Sequence, residues 1–236
     1  MKMLIDVPAL EINGIIAAGD LHIGIEQKLS GAGLNFPDIG TKLAGKIVTS
    51  FASSKARGVV LLGDIKDAIG WPTADAYASL QKFFYGIRNV DVRIANGNHD
   101  AHLQELLNRM GYGIKVEPEV RIGDTTFLHG NAMPSYEAMQ GDYIVEAHGH
   151  LAVSIAGIRK KVFVIAEIGN SAHFSYKHFN KRAKLILVPP LNPLILGNAI
   201  DYSTKKHLPI FRNEIFDFEG ARVYAGGLLG RVRDFL

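Results

Sequence analysis

Five short apolar runs in the first 150 residues stop abruptly at groups of Asp, Asn, His and Gly residues. The runs occupy residues 15–18, 59–62, 92–95, 126–128 and 143–145. Short apolar runs bounded by glycine and polar residues are typical of buried strands. The sequence therefore predicts five strands, each followed by side chains that bind ligands, and this pattern restricts the fold more than any other feature of the chain.

Helical patterns separate the earlier strands. Apolar residues recur at helical spacing within 39–56 and within 80–87, the second segment following Thr73 as a candidate N-cap. A shorter helix is expected at 102–110, ending at Gly111. Strand and helix alternation predicts an α/β sheet, in which ligands bind beyond the carboxyl ends of the strands. The five polar groups are therefore expected to lie there.

The C-terminal third has a different pattern. Strand-like runs at 162–168 and 185–188 occur there without a long amphipathic helix, which favours a second sheet. The chain contains no linker, internal repeat or low-complexity segment that would mark a boundary. We therefore expect one domain over residues 1–236.

The chemistry of the strand ends fits a pair of divalent ions. Two such ions about 3.5 to 4 Å apart need a bridging carboxylate, which offsets their mutual repulsion, and neutral or anionic ligands on each side. Asp20 and His22 are two residues apart, so on an extension of the strand their side chains share one face and can hold one ion. Asp64 is the single carboxylate at the second strand end and the natural bridge.

Further donors follow the later strands. His148 and His150 repeat the spacing of two, while Asn98 offers an amide oxygen and His129 an imidazole nitrogen. The chain has no cysteine, so disulfides, thiolate metal sites and a cysteine nucleophile are excluded. Any metal must therefore be held by oxygen and imidazole nitrogen.

These residues form an ordered series along the chain. The series is Asp20-x-His22, Gly63-Asp64-x-x-Asp67, Gly97-Asn98-His99-Asp100, His129 and His148-x-His150. In order and approximate spacing it resembles the signature of the calcineurin-like metallophosphoesterase superfamily. The resemblance implies an α-β-β-α fold, a two-sheet β-sandwich flanked by helices. One departure is Ala147, which stands where the superfamily usually has glycine and is expected to have a small effect.

The resemblance also implies roles for individual residues. One metal would be held by Asp20, His22, Asp64 and His150, and the other by Asp64, Asn98, His129 and His148. His99 would be the catalytic histidine, held by Asp100. Two divalent ions are implied as cofactors, with Mn²⁺ expected and iron or zinc as alternatives.

A narrower resemblance concerns residues 21–26 and 185–194, which look like an SbcD-like subgroup of prokaryotic phosphoesterases. That subgroup is related to DNA-repair nucleases, which makes DNA or RNA the leading substrate. The alternatives are a small-molecule phosphodiesterase or nucleotide pyrophosphohydrolase and, third, a non-catalytic metal-binding scaffold. His99 argues against the scaffold, because a protein that only binds has no evident need for a catalytic histidine in addition to the metal ligands.

Charge is distributed unevenly along the chain. Residues 1–150 contain 13 Lys and Arg against 17 Asp and Glu, a net charge of −4, whereas the remainder contains 13 against 6, a net charge of +7. Basic residues of this region, among them Lys181, Arg182 and Lys184, are candidates to follow a phosphate backbone, although such clusters are as often solvated surface. The N-terminus lacks the pattern of a signal peptide, so a cytoplasmic protein with no membrane partner is expected.

Several residues outside the series have two interpretations. Asp67 either orients a ligand or forms a surface ion pair, and Trp71 either stacks on a base or packs on the core. Glu26 is expected to be exposed, and the segment 192–194 to be a loop without a catalytic role. The other four histidines are expected to be surface or structural residues: His102, His173, His178 and His207. Of these, His173 and His178 are candidates to line the cleft.

Overall fold

The computed structural model describes residues 1–31, 33–34 and 36–236. The strands are β1 Lys2–Leu4, β2 Ala9–Ile12, β3 Ile15–Ala18, β4 Gly58–Leu61, β5 Val92–Ala95, β6 Val116–Glu117, β7 Glu119–Ile122, β8 Thr125–Leu128, β9 Tyr143–Glu146, β10 Leu151–Ile155, β11 Ile158–Lys161, β12 Phe163–Glu167, β13 Lys184–Leu187, β14 Asn198–Ala199, β15 Arg222–Tyr224 and β16 Leu228–Arg231. The helices are α1 Ile25–Gly31, α2 Ile39–Ala52, α3 Ala74–Gly86, α4 Leu103–Arg109, α5 Ala172–Ser175, α6 Tyr202–His207 and α7 Pro209–Arg212, with 3₁₀ turns at Ala138–Gln140 and Val232–Asp234.

The first main sheet has six strands in the order β1 to β6. Strands β3, β4, β5 and β6 are parallel, while β1 and β2 are antiparallel additions at one edge. Helices α2 and α3 connect the parallel strands, as the alternating pattern predicts. Thr73 is the N-cap of α3, as predicted, because its side chain accepts a hydrogen bond from the backbone of Ala76.

The second main sheet has seven strands in the order β16-β15-β12-β13-β9-β8-β7. Its central strands β13, β9 and β8 are parallel, and the outer strands are antiparallel. A small third sheet has the strand order β11-β10-β14, and its strands β10 and β11 lie between β9 and β12 in the sequence. The C-terminal strand patterns at 162–168 and 185–188 correspond to β12 and β13, so the prediction of a second sheet is confirmed.

The two main sheets pack face to face, and alternation along each strand supplies both faces. Along β12, Phe163 and Ile165 join the layer between the sheets, whereas Val164 and Ala166 join the cluster on the outer face. Helix α7 contributes Phe211 to that outer cluster. Helices α2 and α3 cover the outer face of the first sheet. The order of layers is therefore α-β-β-α.

This architecture brings the polar groups together. Strands β3, β4 and β5 end at one edge of the first sheet, while β8 and β9 end in the second sheet. The five groups thus come from two facing sheets, whereas strand and helix alternation alone suggested one. In the described part of the chain, no helix has the length and apolar character that crossing a membrane requires.

Candidate metal centre

The backbone at the strand ends is left-handed. The φ angles are 54° at Asp20, 41° at His22, 50° at Asp64, 60° at His148 and 46° at His150. The pair Asp20 and His22 and the pair His148 and His150 were expected to continue an extended strand, and that expectation is therefore wrong. A non-glycine residue in this region costs on the order of 1 to 3 kcal/mol, and such residues cluster at functional sites. The turns, rather than strand pleating, aim these side chains at a common point.

A first cluster contains Asp20, His22, Asp64 and His150, whose donor atoms all lie within 4.8 Å of one another. His22 Nε2 lies 3.4 Å from Asp64 Oδ2 and 3.4 Å from His150 Nε2. His150 Nε2 lies 3.3 Å from Asp20 Oδ1. The structure brings together the four side chains that the superfamily resemblance assigned to one metal.

A second cluster shares Asp64 with the first and adds His129 and His148. His129 Nε2 lies 3.3 Å from Asp64 Oδ2 and 3.0 Å from His148 Nδ1. Asn98 Oδ1 lies 3.1 Å from the same His129 nitrogen. Asp64 Oδ2 therefore stands between the two clusters, where a carboxylate that bridges two ions has to be.

The donor atoms fit divalent cations. Among the described residues, Asp20 Oδ2 is one of the buried side-chain atoms that have no hydrogen-bond partner. Buried polar atoms without partners are rare, because each loses its hydration without compensation. The Nε2 atom of His129 and the Nδ1 atom of His148 lie 3.0 Å apart, and two imidazole nitrogens at this distance also need a proton or a cation between them. Imidazole, carboxylate and amide donors together suit ions such as manganese, iron and zinc.

Electrostatics at the site favour positive charge. Burial alone would raise the pKa of Asp20, but His150, His129 and His22 lower it below the ordinary value. Burial opposes a charged His129, yet Asp64 and Asp20 raise its pKa to about 9. Burial and the charge on His129 lower the pKa of His148 to about 4. The raised pKa of His129 means that this ring carries a proton that a bound cation would have to displace.

Two glycines permit the close approach of the loops. A Cβ at Gly97 would lie 2.3 Å from Asp64 Oδ1, so a side chain there would displace the shared carboxylate. A Cβ at Gly19 would lie 2.7 Å from the Cβ of Ala147. The methyl group of Ala147, which departs from the superfamily pattern, is accommodated because residue 19 is glycine.

His99 lies beside the clusters, with its ring centroid 4.8 Å from that of His22. Its backbone N–H donates to Asp64 Oδ1 at 2.9 Å, and its ring Nδ1–H donates to the carbonyl oxygen of Asp67 at 2.5 Å. The carbonyl can only accept, so the proton of a neutral His99 is fixed on Nδ1 and Nε2 is left to exchange protons.

Asp100 has a different role from the predicted one. Its Oδ2 accepts from the backbone of Gly97 at 2.9 Å, and its Oδ1 accepts from the backbone of Ile65 at 2.9 Å. The prediction that Asp100 holds the His99 ring is therefore wrong, since the ring is held by Asp67. Asp100 instead ties the loop after β5 to the loop after β4, which makes it a positioning residue.

Two acidic residues beside the site are buried. Asp67 Oδ2 lies 2.5 Å from Lys28 Nζ, and Asp67 Oδ1 lies 3.5 Å from His22 Nδ1. Asp67 therefore forms an ion pair with Lys28 and also orients the ring of His22, so both interpretations of this residue apply. Glu26 is also buried, and the prediction of an exposed side chain is wrong. Its carboxylate accepts from the backbone of Gly24 at 3.0 Å and from the Ser79 hydroxyl at 3.3 Å, which fixes the start of α1.

Two positioning residues were not identified from the sequence. Asn192 is fully buried, and its Nδ2 donates at 2.6 Å to the carbonyl of Leu21, which separates Asp20 from His22. Lys161 Nζ donates to the carbonyl oxygens of Pro190 at 2.9 Å and Asn192 at 2.6 Å. The segment 192–194 thus supports the left-handed turn from behind. An Asn-Pro pair marks a loop, and nothing local predicts its distant partner.

A cleft of about 490 Å³ opens at His148. Its lining includes Arg159, Asp201 and His207, so one permanent cation, one carboxylate and several hydrogen-bonding groups face it. Of the remote histidines in the described residues, His207 therefore lines a cleft beside the clusters, whereas the prediction favoured His173 and His178.

The basic residues Lys181, Arg182 and Lys184 lie elsewhere. They line a separate cavity at the start of β13, where Lys184 pairs with Tyr143. Strands β13 and β9 are parallel and His148 follows the far end of β9, so these three residues lie at the opposite end of the sheet. They are not placed to follow a strand across the clusters.

The family model of the calcineurin-like phosphoesterases matches residues 14–223. A solved structure, the nuclease MPE of Pseudomonas putida, has a similar fold with a TM-score of 0.58 and 16% identity, covering 92% of this chain and 87% of that chain. No curated protein matches the sequence. The matched segment contains both histidine and aspartate clusters, the chemistry of a metal-dependent phosphoesterase. The chain therefore belongs to the calcineurin-like phosphoesterase family.

Proposed function

We propose that this metal-dependent phosphoesterase hydrolyses phosphodiester bonds in DNA or RNA. The observation that carries the proposal is the cleft at His148, where Arg159 supplies a cation and His207 a further hydrogen-bonding group beside the carboxylate of Asp201. A substrate that extends beyond its scissile phosphate would need such a surface, because further phosphates require cationic partners. The SbcD-like resemblance and the fold similarity to a nuclease support the same substrate class.

The proposed metal ligands follow from the clusters. The first ion is assigned to Asp20, His22, Asp64 and His150, and the second to Asp64, Asn98, His129 and His148. Two divalent ions held there, with Mn²⁺ proposed, would lower the pKa of a water that serves as nucleophile and would neutralise charge on the phosphoryl oxygens. Asp64 keeps the two sites together, while Asp67 and Asn192 hold the His22 turn in place.

His99 is proposed as the group that stabilises the transition state or protonates the leaving oxygen. The hydrogen bond from Nδ1–H to Asp67 fixes the ring and its tautomer, so Nε2 is the atom that carries and delivers the proton. The bond from the His99 backbone to Asp64 couples the position of this ring to the shared carboxylate. No covalent intermediate with the chain is needed.

A small phosphodiester or nucleotide pyrophosphate is the second candidate, favoured because Asp201 lines the same cleft and would repel further phosphates. The two candidates differ in salt dependence. Each phosphate that the protein neutralises releases counterions, so log K for a strand falls with log salt at a slope of about −0.7 to −0.9 per contact. A mononucleotide, held mainly at the metals, is expected to vary far less.

For a non-hydrolysable oligonucleotide, we expect a linear salt dependence that Arg159→Gln makes shallower by about 0.7 to 0.9, the contribution of one contact. Arg182→Gln is the matched control, since Arg182 is also exposed but lies at the opposite end of the sheet. Fluorescence anisotropy at several salt concentrations measures both. Flat salt dependence, or affinity no better than that of a mononucleotide, would replace the nucleic-acid proposal with the small-substrate one.

A further inference from the structure

An exposed aromatic group lies beside the candidate active site. Trp71 is the single tryptophan of the chain, and 44% of its surface is exposed. The His102 ring stacks on it with 5.2 Å between centroids and 18° between planes. The guanidinium carbon of Arg109 lies 4.5 Å from the indole centroid. We call these three residues the Trp71 platform.

The Trp71 platform is joined to His99 by a buried lysine. Lys66 is fully buried, and its ammonium donates to the carbonyl oxygens of Ala68, Ile69 at 2.8 Å and Gly70 at 2.9 Å. The carbonyl oxygen of His99 also lies 2.5 Å from this ammonium, so its three hydrogens are shared among four carbonyl oxygens. One cation therefore fixes both the segment that leads directly into Trp71 and the proposed proton donor.

Chain connectivity gives an upper limit on the separation. His102 follows His99 by three residues, so their Cα atoms lie within about 11 Å of each other. Because the Trp71 ring stacks on His102, the platform lies on the His99 side of the clusters. The cleft lined by Arg159 and His207 adjoins His148 instead. A substrate across the centre thus meets different surfaces on its two sides.

The segment that carries Trp71 is also anchored on its other flank. Thr73 accepts a hydrogen bond from the backbone of Ala76 at 3.3 Å and donates through its hydroxyl to Gln27 Oε1 at 2.5 Å. With Lys66 on one side and Thr73 on the other, the indole is held in position before any ligand arrives. Binding to such a preformed surface loses little conformational entropy.

Trp71 already packs against His102 and Arg109, so the part of the indole that remains exposed is the surface available to a flat apolar partner. Nucleobases stack on aromatic side chains, and each stack contributes about 1 to 3 kcal/mol by alanine substitution. We propose that the Trp71 platform stacks the nucleobase on the leaving-group side of the scissile phosphodiester. The assignment rests on the proposed function, because His99 is the group that serves the leaving oxygen and the platform lies on its side.

The first test uses intrinsic tryptophan fluorescence, excited at a wavelength that tyrosine does not absorb, which reports on Trp71 alone because no other tryptophan is present. The metal-loaded protein is titrated with a dinucleotide analogue in which a methylene group replaces the leaving oxygen. A second analogue lacks only the base on the leaving side. We expect saturable quenching by the first and little by the second. Equal responses to the two analogues would overturn the proposal, whether or not the protein cleaves nucleic acid.

The second test uses the ratio of kcat/KM for a base-bearing dinucleotide to that for its abasic counterpart. Trp71→Ala is expected to lower this ratio about 5- to 150-fold, which corresponds to 1 to 3 kcal/mol at 1.36 kcal/mol per factor of ten. Tyr85→Ala, the matched control, should not change it. Tyr85 is exposed and has Arg88 3.9 Å above its ring, but it lies near the end of α3.

The outcomes separate the binding of a base from other roles of Trp71. Equal loss on both substrates would assign Trp71 to positioning His99 through Lys66 and would overturn the proposal. Trp71→Phe retains an aromatic face and should recover part of the ratio. Absence of turnover on any dinucleotide contradicts the proposed function instead, and the fluorescence titration then decides the platform by itself. A mononucleotide is titrated in the same way. Weaker quenching by it than by the dinucleotide analogue shows that Trp71 stacks a base of a strand, whereas equal quenching would show that it stacks the base of a small nucleotide.

Discussion

Asp64→Asn is expected to lower kcat on an activated aryl phosphodiester by on the order of 10³-fold, and to do more damage than a change at any other proposed ligand. Its Oδ2 lies within 3.4 Å of His22 Nε2 and 3.3 Å of His129 Nε2, so the same oxygen serves both clusters. A neutral amide cannot offset the repulsion between two cations, which is a matter of several kcal/mol. Parallel elemental analysis should show loss of metal from both sites.

Asp20→Asn is the matched comparison. Asp20 belongs to the first cluster only, so this variant should lose one ion and retain the second. Both substitutions replace a buried carboxylate with an amide of the same shape, which controls for packing. If Asp64→Asn keeps two ions, or if its activity equals that of Asp20→Asn, Asp64 does not bridge the metals.

His99→Gln should retain both ions and lower kcat by about 10²- to 10⁴-fold, the usual contribution of a positioned acid or base. The glutamine amide can still donate to the Asp67 carbonyl that holds the ring, but it cannot carry a proton to the leaving oxygen. The loss should shrink on an ester with an acidic leaving group such as p-nitrophenol, since that oxygen needs no proton.

Metal content identifies the alternative role of this histidine. His22, Asp67 and His99 also offer donor atoms within 4.8 Å of one another, so His99 is geometrically able to act as a ligand. Loss of an ion from His99→Gln, with equal effects on acidic and poor leaving groups, would show that it binds metal. His173→Gln changes an exposed histidine of α5 and should leave both quantities unaltered.

The sequence predicted the strands that carry the site because each is a short apolar run with a polar stop. Strands β3, β5 and β9 begin at the predicted positions 15, 92 and 143. The sheet to which each strand belongs depends on pairings across long stretches of chain, which local patterns do not contain. The alternating pattern therefore predicted that the polar groups converge. It did not predict that three of them come from the first sheet and two from the second.

Residue roles that depend on backbone geometry or distant contacts were harder to predict. Asp20 and His22 converge through left-handed turns, which their spacing of two does not encode. Asp100 lies next to His99 in sequence, yet its carboxylate contacts backbone groups of other loops. The support that Asn192 gives to Leu21 joins residues 171 positions apart, and no local pattern records such a contact.

The most direct measurement of the central claim combines metal content and turnover on one preparation. The protein is stripped with a chelator, titrated with Mn²⁺ and assayed on an activated aryl phosphodiester at each step. The clusters built around Asp64 predict no activity without metal, and a rise that reaches its plateau at two ions per chain. Full activity in a preparation that contains no divalent metal and ignores the chelator would contradict the two-metal account.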